Sequence, residues 1–401
     1  MVKQHISNVQ IKSISQQNSS LVTSQFEMRK LKIRVFVELF VIMFQKTGNP
    51  FRAFRFIHQI KKKNHSIFGE QLLTKAAKVD NRYYWRLGGP GFPSKASVQM
   101  HTNEMCRFFP FQDQIGLGTL IFAITKKCLM NCEHCFEWDN LNQKDQLTTP
   151  DIIQIVHKYQ NFGTTQIMLS GGEPMLRIND IYKILSAAKP GTDFWIITSG
   201  LGLNKEHAQK LKIAGLTGVM VSLDHYQESK HDQFRGYEDA YNSAIQAVIN
   251  ANKAGLVTAL SLCATKSFVS KDNLVAYMNL AKVLGVTFVN IIEARAKGRY
   301  IGKDVELEKE EILLLEKIYL ENKFSKIFKD YPMINYLGYH QRRVGCFGAG
   351  NRFFYIDTDG DAHICPYCSN KIGNALDYSV NEIIGLLAQY KCHTFDKNYK
   401  L

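Results

Sequence analysis

Cys128, Cys132 and Cys135 stand in the run Thr-Lys-Lys-Cys-Leu-Met-Asn-Cys-Glu-His-Cys. Three thiolates this close along a chain can ligate three irons of a cubane cluster and leave the fourth iron without a protein ligand. An iron with open coordination sites is a place for chemistry, whereas four cysteines on a [4Fe-4S] cluster usually make an electron carrier. The spacing therefore argues for an enzyme. The competing reading is structural zinc, which takes four ligands in paired spacings, while this loop supplies one triplet. The other cysteines are Cys106, Cys263, Cys346, Cys365, Cys368 and Cys392. They form a second group near the C-terminus, with Cys106 and Cys263 apart from both and read as inert buried residues. Two groups fit metal binding in a reducing, cytoplasmic compartment better than a disulfide framework.

These loops need elements to position them. At 401 residues, 45% hydrophobic and 21% charged, the chain is ordinary globular material for one large domain with additions or for two to three domains. From residue 118 to 300, short β-branched or apolar runs alternate with helical stretches, the pattern of βαβ units. Strands are expected at 120–125, 166–169, 194–198, 218–223, 259–264 and 286–292, with helices at 150–161, 178–188, 205–214, 239–254 and 271–284. Six repeats predict an α/β fold, a partial (β/α)6 TIM-like barrel. In such barrels chemistry sits where the βα loops converge, at the C-terminal strand ends. The cysteine triplet follows the first strand, Gly171-Gly-Glu-Pro174 the second and Ser199-Gly200 the third, and Ser222-Leu-Asp224 ends the fourth.

Net charge is +14, of which residues 1–65 carry +10, from twelve Lys or Arg against Glu27 and Glu38. The remainder is nearly neutral and lacks a basic stripe interleaved with aromatics, which argues against nucleic acid as a partner. Residues 1–25 are Ser-, Gln- and Asn-rich and are expected to be disordered. The segment 31–44 is apolar but too short and too charged to span a bilayer, and lacks the form of a signal peptide. It predicts an amphipathic helix followed by Arg52, Arg55 and Lys61-Lys-Lys63. Peripheral membrane contact through residues 26–63 suits that composition, and so does packing on the enzyme body with a solvated basic flank. Residues 66–117 read as irregular, 301–340 as a linking helical segment, and 341–401 as a small cysteine-containing domain.

The triplet, followed one βα unit later by Met168-Leu-Ser-Gly-Gly-Glu-Pro174, resembles the radical S-adenosylmethionine (radical SAM) superfamily. The resemblance covers residues 118–300, and 341–392 in part. It implies that Cys128, Cys132 and Cys135 hold a [4Fe-4S] cluster whose open iron is chelated by S-adenosyl-L-methionine (AdoMet). Reductive cleavage of that cofactor would give methionine and a 5'-deoxyadenosyl radical, which abstracts hydrogen from substrate. The resemblance further implies that Gly171, Gly172 and Glu173 bind the methionine amino group and that His134 lies near the adenine. Thr198, Ser199, Gly200, Ser222, Asp224 and Ser261 are candidate polar contacts to the cofactor. Two further stretches look like family text: Ala294-Arg-Ala-Lys-Gly-Arg299, and His231-Asp-Gln-Phe-Arg-Gly236, with Arg235 a candidate carboxylate partner.

Cys346, Gly360, Cys365 and Cys368 match the opening of the SPASM/twitch pattern, and Phe353–Ile356 with Ala362–Ile364 predict a hairpin beneath it. The longer cysteine run of a full SPASM module is missing. A twitch-like domain with one auxiliary cluster follows, ligated by Cys346, Cys365 and Cys368 with Cys392 or substrate as the fourth ligand; zinc is the alternative. Expected partners are a peptide, lipid or small-molecule substrate and an electron donor such as flavodoxin or ferredoxin. The competing functional class is a non-enzymatic iron-sulfur or zinc binding scaffold.

Overall fold

A computed structural model describes residues 19–68, 73–109, 115–390, 392 and 394, so the disorder expected for residues 1–18 lies outside it. Six parallel strands form the centre: β4 (Thr119–Ala123), β5 (Gln166–Ser170), β6 (Asp193–Thr198), β7 (Leu216–Ser222), β8 (Val257–Ala264) and β9 (Phe288–Glu293), hydrogen-bonded in chain order. They lie within one or two residues of their expected bounds at most ends. Every residue of β8 is buried, because helices cover one face and the other looks into the half-barrel. Most strand–helix–strand units use a capped helix. Thr148 and Asp151 form a capping box at Thr149–Asn161, and Ser270 and left-handed Gly285 bracket Lys271–Leu284.

The sheet runs beyond the six expected strands. β10 (Met333–Asn335) adds parallel to β9, and β11 (Phe353–Ile356) adds parallel to β4, with Phe354 opposite Leu120. The expected hairpin continues as β12 (Asp361–His363), and β13 (Gly373–Asn374) ends the order β10-β9-β8-β7-β6-β5-β4-β11-β12-β13. The C-terminal cysteine segment therefore grows out of the central sheet. Among the described residues the sheet's two edges are not bonded to each other, which leaves a half-barrel.

Residues 19–68 and 73–109 pack against this half-barrel. Helices α1 (Gln25–Thr47) and α2 (Pro50–Phe68) form a hairpin turned at left-handed Gly48, and Ile42, Met43, Ala53 and Ile57 pack together with Met105. The segment expected to be irregular instead holds β2 (Ala77–Val79), β3 (Arg82–Tyr84) and a 14-residue helix, α3 (Lys95–Phe108), with a Ser94–Ser97 capping box. Ala77, Val79, Tyr84 and Leu87 plug the barrel floor against Met168, Trp195, Met220 and Phe288. Residues 19–21, read as part of the disordered tail, pair as β1 with β2. Among the described residues no helix is long and apolar enough to cross a membrane.

Candidate functional site

The cysteine loop leaves the C-terminal end of β4 and is held from four directions. Asp145 accepts hydrogen bonds from Thr125 Oγ1 (2.9 Å) and Lys126 N (2.6 Å), and Asn142 Oδ1 accepts from Cys128 N (3.0 Å). The backbone after β7 accepts from Asn131 N and Glu133 N. Arg299 donates its backbone N–H to Cys135 O (3.0 Å) and its guanidinium to Asn131 O (2.7 Å), which gives the 294–299 stretch a structural role. Lys126 Nζ meets Asp359 Oδ1 at 2.7 Å and ties the loop to the C-terminal hairpin.

The Gly171–Gly172 turn packs directly on this loop. Gly172 N donates to Thr125 O and Glu173 N to Lys127 O, both at 2.7 Å. A Cβ on Gly171, whose φ is +134°, would lie 2.4 Å from Thr125 O, and one on Gly172 would lie 2.3 Å from Lys127 O. Only glycine permits this approach. Glu173 is buried, and its carboxylate accepts from Met175 N (3.0 Å), Thr198 Oγ1 (2.7 Å), Ser199 N (2.8 Å) and Ser199 Oγ (2.5 Å). Burial pushes its carboxyl above the usual range, with these donors opposing. Glu173 thus clamps the loops after β5 and β6 together, a function that its expected contact with an amino group does not convey.

Asp224 is likewise taken up by protein. Its Oδ2 accepts from Arg235 Nε at 2.6 Å and its Oδ1 from Cys263 N at 2.9 Å, and its own N–H donates to His231 Nδ1. Burial would raise this carboxyl, and Arg235 more than offsets it, holding it below the usual range. Arg235 also points Nη1 at Cys132 Sγ, 3.7 Å away, so a buried cation reaches a thiol of the triplet. The expected carboxylate partner of Arg235 is Asp224, and its link to Cys132 had no signal in the sequence.

Cys128, Cys132, Cys135, His134, Gly171, Gly172, Glu173, Ser222, Asp224 and Ser261 line one cavity of about 1100 Å³. Ser222 and Ser261 stand opposite each other on β7 and β8. His134 stacks on Phe234, with ring centroids 4.7 Å apart, and its Nδ1 has no hydrogen-bond partner. Burial pulls its pKa down to about 4, so it is neutral at pH 7. Burial raises the Cys128 thiol to about 11 and Cys135 to about 12. The loop fits the expected cluster on its donor set: three soft ligands beside a glycine turn that leaves room, facing an unpartnered ring nitrogen.

The same cavity reaches the second cysteine group. Cys365 and Cys368 sulfurs lie 3.5 Å apart, Gly348 N donates to Cys346 Sγ (3.3 Å), and Cys392 bonds to both Cys346 and Cys368. Those contacts lower the Cys392 thiol below its usual range and raise its two partners. Among the described residues no three His, Cys, Asp or Glu side chains converge on one metal ion, as zinc would require. Cys106 and Cys263 are buried as expected, with Cys263 on the cavity wall.

Comparison with known proteins matches residues 122–267 to the sequence model of the radical SAM superfamily. The Fe-coproporphyrin III synthase of Methanosarcina barkeri is 28% identical over 194 residues, 47% of this chain but only 48% of that protein, so the chain spans about half its length. The GTP 3',8-cyclase of Nautilia profundicola is 30% identical over 223 residues, 53% of this chain and 67% of that protein. Streptococcus suis SuiB, solved bound to S-adenosylmethionine, shares the fold with a TM-score of 0.56 and 14% identity, over 75% of this chain and 71% of that one.

Proposed function

Because the chain belongs to the radical SAM superfamily, we propose that it reductively cleaves AdoMet and abstracts hydrogen from a peptide, lipid or other metabolite held in the shared cavity. The observation that carries this reading is the convergence of the cysteine triplet, the glycine turn and a large cavity at the C-terminal ends of β4–β9. When bound, a reduced cluster and AdoMet supply the 5'-deoxyadenosyl radical. Cys128, Cys132 and Cys135 would hold the cluster. Gly171 and Gly172 would let backbone approach the AdoMet amino group, and Glu173 fixes that turn against Thr198 and Ser199. Neutral His134 offers a flat face and one free ring nitrogen to a base. Arg235, anchored by Asp224, positions Cys132.

Cys346, Cys365, Cys368 and Cys392 would hold a twitch-like auxiliary cluster at the far end of the cavity. Cleavage consumes one electron, so an electron donor such as flavodoxin or ferredoxin would serve it, and a reducing cytoplasm suits both sites. The outer face of the α1–α2 hairpin exposes Phe26, Ile33, Phe51 and Phe54, 59% to 84% accessible, among Arg29, Lys30, Arg52 and Arg55. Its inner face packs on the body, so both expectations for this segment have support. An anionic bilayer matches the outer face in charge and in apolar area.

The test is 5'-deoxyadenosine formation by anaerobically reconstituted, dithionite-reduced protein given AdoMet. Cluster-dependent product is expected; none, with the cluster verified spectroscopically, would favour a binding scaffold. Vesicles containing phosphatidylserine should retain the protein, and Phe51→Ser with Phe54→Ser should release it. Equal retention by neutral vesicles would count against the membrane reading.

A further inference from the structure

We propose that Arg86 is the anion-binding end of the substrate cavity, and that the substrate is an elongated amphiphile whose carboxylate or phosphate pairs with this guanidinium. The proposal rests on the cavity being the substrate site. Arg86 belongs to a segment that crosses beneath the N-terminal ends of three strands. Leu87 O accepts from Gln166 Nε2 (3.0 Å), Gly91 N donates to Asp193 Oδ2 (3.0 Å), and a Cβ on Gly88 would lie 3.8 Å from Thr119 Oγ1. Thr119, Gln166 and Asp193 are the first residues of β4, β5 and β6. The cysteine loop leaves the opposite end of β4, five residues and roughly 16 Å away.

Arg86 lines the cavity with its side chain accessible, although protein surrounds it closely enough that burial lowers its pKa. Its Nη2 donates to Met100 Sδ at 2.6 Å, a weak acceptor. The nearby carboxylate, Glu104, is occupied: Arg352 Nη1 lies 2.5 Å from it and Arg107 Nε 3.6 Å. His101, farther along the wall, is itself paired with Glu38 at 2.6 Å. Arg86, Arg107 and Arg352 therefore lie near a single carboxylate among the described residues, and the two ion pairs of Glu104 go to Arg107 and Arg352, which leaves Arg86 without an anion of its own. An uncompensated internal charge is costly, and a bound oxyanion relieves it. The planar fork of arginine matches carboxylate and phosphate alike. The same cavity wall includes Ile121, Met168, Ile197, Met220 and Phe288 from the inner strand faces, apolar side chains suited to a hydrocarbon body.

The test uses the cluster-loaded full chain without reductant, titrated with hexadecanoate, hexadecyl phosphate, hexadecanol and inorganic phosphate. Either acid should bind roughly tenfold or more tightly than the alcohol. Arg86→Gln should abolish that preference while alcohol affinity is unchanged, and Arg86→Lys should keep part of it. Equal binding of acid and alcohol by the unmodified protein, or an undiminished preference in Arg86→Gln, would overturn the proposal. Inorganic phosphate binding as tightly as hexadecyl phosphate would overturn its amphiphile half. Because no radical chemistry is needed, acid preference without 5'-deoxyadenosine formation would sink the enzymatic reading alone, and the converse would sink this one alone.

Discussion

The two cysteine groups share a cavity but are built differently. The triplet sits on one short loop whose every turn is bonded to a neighbour: Asp145, Asn142, the backbone after β7, Arg299 and the Gly171–Glu173 turn. The second group draws its sulfurs from a helix end, a hairpin end and the tail, and these sulfurs bond chiefly to one another. A loop so braced is pre-shaped for its ligand, whereas a group joined through its own thiols depends on what it binds for its order. The difference suggests that the first site carries the reaction and the second serves it.

The largest expected effect separates them outright. Cys132→Ala should lower 5'-deoxyadenosine formation more than a hundredfold, beyond what loss of a supporting partner costs. Cys365→Ala should leave AdoMet cleavage within a few-fold while removing the iron of one cluster, as iron and sulfide analysis would show. Equal losses would erase the distinction. Next, Arg235→Gln leaves Asp224 charged and unpaired in the interior, an expected cost of about 3–5 kcal/mol in denaturant unfolding. Adding Asp224→Asn should recover part of it, and no recovery would disconnect the two residues. Smaller again, Gly172→Ala drives a Cβ to 2.3 Å from Lys127 O and should cost about 1–3 kcal/mol and weaken AdoMet binding. The smallest effect is a control: Gly385→Ala, in the exposed face of Val380–Leu387 with no atom near its Cβ, should stabilise by about 0.5–1 kcal/mol.

Much of the central fold is legible because periodicity is local. The apolar runs at 166–169 and 259–264 mark β5 and β8, and glycines mark the turn that meets the cysteine loop. Helix α3 was hidden behind Pro90, Gly91 and Pro93, although Ala96, Met100 and the Ser94–Ser97 pair carried its signal. β10 is three residues long, and pairing of β11 with β4 joins segments more than 200 residues apart, which no local pattern encodes. The same holds for the site. Residue types named Glu173 and Asp224, but only the fold reveals that Ser199 and Arg235 already occupy their oxygens. Arg86 carries no sequence signal, because its interest lies in having no carboxylate of its own, a property of three-dimensional surroundings.

The central claim is that the triplet alone presents the open iron. The most direct measurement is the EPR spectrum of the reduced triple variant Cys346→Ala, Cys365→Ala, Cys368→Ala, with and without AdoMet. A single [4Fe-4S] signal that changes on adding AdoMet is expected; a signal indifferent to AdoMet, with the protein folded and the cluster present, would contradict the account.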